Sequence, residues 1–163
     1  MRAAAQPCGQ TAARSLVLLV ITGGTVSRAA ITRAAELAAG ASVTVVGVGS
    51  GQHISRTDGG PPAEPAGGRD PRTEPEAMRR AVALAMSVLE NTGVMALGHI
   101  AVTGSPARVI ARVARARGAR AVVLDYPGQA SGGLAAELRR RMYGSGMVVV
   151  STAENGTRWP VPS

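Results

Sequence analysis

The residues able to do chemistry are few, and they sit where short apolar runs end. Thr22-Gly23-Gly24 follows one such run and precedes a helical pattern. A turn of that kind presents main-chain N–H groups to an anion, although any strand-to-helix turn needs similar residues. Val48 and Gly49 close a second run, and Gly47-Val48-Gly49-Ser50-Gly51 is similar to a fragment of a dinucleotide fingerprint. No helical pattern follows it, so the helix N-terminus that completes such a site is missing. Asp125 ends a later run and is the one acid among these turn positions. Its carboxylate could orient a ligand hydroxyl or a metal, or cap its own loop. Tyr126 beside it offers a flat ring. Gly128, Gly132 and Gly133 surround the next helix start, where a phosphate can approach main chain closely.

Other chemistries find little support. His53 and His99 have no Cys or carboxylate cluster beside them, so no metal site is predicted. No nucleophile, base and acid stand in a recognisable set, and the chain is expected not to be an enzyme. Arg108, Arg112 and Arg115 share one helix face, and Arg139, Arg140 and Arg141 end the next helix. Both groups read as solvated basic faces, the second also favourable with the helix macrodipole. Without interleaved aromatics or a known motif, they do not predict a nucleic-acid partner.

The elements that position these residues alternate strictly. Apolar, β-branched runs at 15–21, 42–48, 94–102, 121–124 and 147–151 predict strands covered on both faces. Between them, helical spacing predicts helices over 27–39, 76–90, 105–118 and 132–142. Ser27 and Ser105 stand at helix starts as caps, with Pro106 in a first turn where its missing N–H is harmless. Gly40 and Gly118 close two of them. Gly98 interrupts the third strand. Strands alternating with helices predict α/β architecture: a doubly wound, five-stranded parallel sheet with helices on both faces, Rossmann-like, joined by right-handed crossovers. In such sheets ligands bind beyond the carboxyl ends of the strands, where strand order reverses.

Composition sets the outer bounds. The chain has 163 residues, 45% of them apolar but only 2% aromatic, so one domain with a core of small aliphatics is expected. Residues 1–14 read as a flexible N-terminal tail, residues 15–152 as the domain, and residues 153–163 as a C-terminal tail. Residues 49–75 are rich in Gly and Pro and read as a flexible insertion. The net charge is +8, and all 18 basic residues are Arg. Guanidinium forks suit phosphate partners, but abundant Ala, Gly, Arg and Pro also point to genomic base composition. The lone Cys8 predicts no internal disulfide. The run 16–21 is short for a signal peptide, and no stretch approaches a membrane span. A cytoplasmic protein without a membrane is expected.

Three stretches carry a family resemblance. Residues 21–48, ITGGTVSRAAITRAAELAAGASVTVVGV, are similar to the first strand, helix and second strand of the universal stress protein family. Residues 98–128 resemble its Gly-x-Pro helix and following strand. Residues 132–151, GGLAAELRRRMYGSGMVVVS, resemble its last helix and strand. The resemblance implies a five-stranded sheet, a homodimer through the last strand, and ATP or AMP at the carboxyl edge. It makes Thr22, Gly23, Gly24, Val48, Asp125, Gly128, Gly132 and Gly133 the candidate nucleotide-binding residues.

The match departs from the family pattern at the adenine or ribose end, which the first-strand Asp would contact, and at the phosphates. The family's first-strand Asp falls on Thr22, so a hydroxyl replaces a carboxylate. The family's ATP-binding loop is Gly-x-x-Gly-x9-Gly-Ser/Thr. Here only Gln129, Ala130, Ser131 and Gly132 separate Gly128 from Gly133, and Leu134 replaces the hydroxyl residue. The expectation is a stress-related dimeric regulatory or interaction module with weak or lost ATP binding. The alternatives are a stress-response protein with a reduced ATP or AMP site, and a small α/β enzyme on a nucleotide-like substrate.

Overall fold

A computed structural model describes residues 16–50, 73–125, 131–152 and 158–159. The continuous apolar run Leu16–Ile21 forms strand β1, buried along its whole length. A strand so apolar has no solvent face and belongs in the middle of a sheet. It lies there: the five-stranded sheet has the order β4-β3-β1-β5-β6, where β3 is Ser42–Ser50, β4 Met95–Thr103, β5 Ala119–Asp125 and β6 Val148–Thr152. All four pairings are parallel. Four helices connect them: α1 Arg28–Ala38, α2 Thr73–Asn91, α3 Pro106–Arg117 and α4 Ser131–Arg141.

The period of two along each strand sorts the core into two layers. Val17, Leu19, Ile21, Val43 and Val45 point toward α1 and α2, meeting Ala30, Ile31, Ala34, Met78, Ala81, Ala85 and Leu89. Leu18, Val20, Val46, Val48, Val122 and Leu124 point the other way, onto Ala107, Ile110, Ala114 and Leu138 of α3 and α4. The doubly wound architecture expected from the sequence is therefore the observed one.

Small residues set the approach of helix to sheet. A Cβ on Gly47 would stand 2.7 Å from Met78 Cγ and 2.9 Å from Val82 Cγ2, so the glycine admits α2 against β3. Gly98, read as an interruption of its strand, likewise makes room for Met86. Helix ends differ in detail from expectation. Ser27 does cap α1, accepting the Ala30 N–H at 3.1 Å. The left-handed C-cap of α1 is Ala39, and Gly40 follows it with φ +80°. Ser105 is the N-cap of α3 but makes no side-chain cap bond; Thr103 Oγ1 accepts its N–H instead, at 3.0 Å.

Two boundaries also shift. Strand β3 runs on to Ser50, and α2 begins at Thr73, so both flanking elements reach into the segment read as the 49–75 insertion. Within the segment read as the C-terminal tail, Arg158–Trp159 (β7) pairs antiparallel with Val26–Ser27 (β2). The remainder of the tails and of the insertion, with Cys8 and His53, lies outside the described residues.

Candidate functional site

Strand order reverses beside β1. The chain leaves β1 toward α1 on one face, and leaves β5 toward α4 on the other, with β1 and β5 adjacent. That divergence opens the crevice where doubly wound sheets hold ligands. Ile21 is in register with Asp125, so Thr22 and Asp125 stand together at its floor. The Thr22 N–H donates to the Asp125 carbonyl at 3.4 Å, and the Thr22 hydroxyl donates to the same oxygen at 3.3 Å. From the far side of β5, the Thr152 hydroxyl donates to the Leu124 carbonyl at 3.2 Å.

The Asp125 carboxylate turns inward. Asp125 is 2% exposed, and its Oδ2 accepts the Ser27 main-chain N–H at 2.6 Å. Ser27 is the N-cap of α1, so an internal carboxylate stands beside the positive end of that helix. A ligand phosphate seeking the same helix start would meet a fixed negative charge.

The neighbouring glycines have structural duties. Gly23 adopts φ +153°, a conformation that side chains disfavour. A Cβ on Gly24 would stand 2.7 Å from Ala77 Cβ, because the first turns of α2 lean on this turn. Val48 is buried in the layer under α3 and α4. Across the crevice, α4 starts at Ser131, with Gly132 and Gly133 in its first turn. A Cβ on Gly133 would meet nothing within 4 Å among the described residues, whose packing does not demand glycine there. Gly128 and Tyr126 lie outside the described residues.

Of the residues singled out from sequence, Thr22 and Asp125 are thus in direct contact and Gly23 and Gly24 continue from them. His99 is exposed on edge strand β4. Among the described residues no group of three or more His, Cys, Asp or Glu could hold a metal ion. No helix among them is long and apolar enough to cross a membrane. Sequence reasoning missed the Ser27–Asp125 contact, since the two residues are 98 positions apart. It also missed that the arginine groups on α3 and α4 meet, with Arg115 Nη2 donating to the Arg141 carbonyl at 2.6 Å.

The parallel order, the two-layer core and the crevice at β1/β5 define a doubly wound, Rossmann-like α/β domain. The profile of the universal stress protein family matches residues 15–154, and the chain belongs to that family. Solved structures agree on the fold. A universal stress protein family member from Burkholderia pseudomallei superposes with a TM-score of 0.57 at 23% identity, covering 88% of this chain and 98% of that one. The universal stress protein from Archaeoglobus fulgidus gives 0.56 at 20% identity, covering 84% and 92%. The Archaeoglobus fulgidus protein in complex with dAMP gives 0.56 at 21%, covering 84% and 95%. No curated protein sequence matches the chain.

Proposed function

We propose that this universal stress protein domain is a dimeric, stress-related regulatory or interaction module whose ATP binding is weak or lost. The Gly128–Gly133 spacing, far shorter than the family loop and followed by Leu134, carries this reading, and the Ser27–Asp125 contact supports it. A crevice built to receive a triphosphate would leave its helix N-termini open and its floor uncharged toward the phosphates. Here a buried carboxylate stands beside the start of α1, and the Thr22 hydroxyl is turned to main chain. The short Gly128–Gly133 spacing removes further main-chain donors. The residues present do not fit the family's phosphate loop ahead of α4. Dimerisation is assigned to β6, an edge strand whose Val148 is 55% exposed. An uncovered apolar edge invites pairing with a second copy.

A second reading keeps a reduced site for ATP or AMP. Gly133 favours it, because an open glycine in the first turn of α4 leaves space for a phosphate at a helix start that Asp125 does not fill. The dAMP held by the Archaeoglobus fulgidus protein points the same way. Nucleotide carried through purification discriminates between the two. Protein purified without added nucleotide, then denatured, releases no stoichiometric ultraviolet-absorbing nucleotide on the first reading. Stoichiometric release of an adenine nucleotide overturns it in favour of the second.

A further inference from the structure

Helices α3 and α4 pack side by side, and a groove of about 460 Å³ runs between them, lined by Arg108, Ala111, Arg112, Arg115 and Arg141. That volume lies within the range of small-ligand sites. Four of the five lining residues are arginines, and the fifth is a small alanine at the floor. The groove belongs to the outer surface of the α3/α4 layer, whereas the crevice at Thr22 and Asp125 opens at the strand ends.

The arginines are held differently. Arg141 is fixed by Glu137, which accepts from its Nε at 3.0 Å and its Nη2 at 2.8 Å. Arg115 is fixed by its bond to the Arg141 carbonyl. The Arg115 bond ties the end of α3 to the end of α4, and the Glu137 pair holds Arg141 within α4. Arg108 and Arg112 are exposed and have no ion-pair partner among the described residues.

Local helix physics does not explain these two. Arg108 lies in the first turn of α3, two residues after Pro106, where the macrodipole disfavours positive charge and no acid is present. Arg108 and Arg112 are one turn apart, a like-charge spacing that weakens a helix. Arg115 continues the row, so the three span about 10 Å at 1.5 Å per residue. Charge repeated along one line, against the helix's own preference, fits a ligand with negative charge repeated along its length. Guanidinium forks match phosphate oxygens in particular.

We propose that the α3/α4 groove binds an oligophosphate: a chain of linked phosphates read by Arg108, Arg112, Arg115 and Arg141, with no base required. The lining offers no aromatic ring to stack a base and no side-chain acceptor to read one. Single-stranded RNA, which relies on such stacking, is the less suited polyanion.

Titration calorimetry with inorganic tripolyphosphate at low, fixed ionic strength tests this. Wild-type protein should bind it more tightly than orthophosphate. The double variant Arg108→Gln/Arg112→Gln should bind at least about tenfold more weakly, as expected for two lost charge-assisted contacts. The double variant Arg28→Gln/Arg79→Gln, which removes two charges from exposed positions on α1 and α2, should bind as wild type. All four side chains are exposed, and unchanged thermal midpoints will show that the fold is retained. Equal weakening in both double variants, or no preference for tripolyphosphate over orthophosphate, overturns the proposal. So does tighter binding of oligo-adenylate RNA at the same salt. Weakening confined to Arg108→Gln/Arg112→Gln separates the groove from any phosphate site in the crevice, to which neither residue belongs.

Discussion

Asp125, at the end of β5, caps the start of α1 by accepting the Ser27 N–H at 2.6 Å, across the point where strand order reverses. The contact joins the two loops that a ligand would have to enter between. It stabilises the fold and hinders an anionic ligand by the same charge. Asp125→Ala should therefore destabilise the protein by about 1–3 kcal/mol, because it leaves a buried N–H unpaired. Asp125→Asn keeps an acceptor oxygen and removes the charge. It should destabilise less than Asp125→Ala, and it should strengthen ATP binding relative to wild type. Urea unfolding and ATP titration of both variants check this; weaker ATP binding by Asp125→Asn would assign the carboxylate a ligand-holding role instead.

Thr44 lies in β3 with its hydroxyl buried and without a hydrogen-bond partner among the described residues. Burying an unpaired hydroxyl is unfavourable, and valine has nearly the same shape without it. Thr44→Val should raise stability by about 1 kcal/mol. A loss of stability on denaturant unfolding would show that the hydroxyl has a partner.

Glycines 47 and 98 both face α2 but differ in what they touch. A Cβ on Gly47 would press on Met78 Cγ and Sδ and on Val82 Cγ2, all within 2.9 Å. One on Gly98 would press first on the Met86 sulfur, in a flexible side chain that is only partly buried. Gly47→Ala should destabilise by about 1–3 kcal/mol, and Gly98→Ala by less. Thermal melts of the two variants will rank them; the reverse order would mean that α2 moves more readily at its N-terminal half.

Both sheet edges expose apolar side chains. Val148 marks β6, while Met95 at 58% and Val102 at 62% exposure mark β4. If copies pair through β6, Val148→Lys should convert dimer to monomer in sedimentation at tens of micromolar, and Val102→Lys should not. Loss of the dimer only in Val102→Lys would move the interface to the opposite edge.

Much of this was legible in the sequence because parallel strands buried on both faces must be continuous apolar runs, as in Leu16–Ile21. The helices followed from their spacing, and Ser27 from its place before α1. What pairs with what was less legible. Thr22 meets Asp125 across 103 positions, and only the strand order brings them together. The β2–β7 pair is two residues long on each side, too short to leave any periodicity. Arg108 to Arg115 were visible as one helix face, but Arg141 joins them only through the packing of α3 on α4. The candidate glycines were singled out as letting a phosphate approach main chain; Gly23 and Gly24 are instead explained by turn geometry and by Ala77.

Calorimetric titration of the wild-type protein with ATP and Mg²⁺ puts the proposed loss of nucleotide binding to the most direct test. With the Gly128–Gly133 segment so short and Leu134 in place of the hydroxyl residue, no binding or binding no tighter than millimolar is predicted. Saturable binding in the low micromolar range would contradict the account.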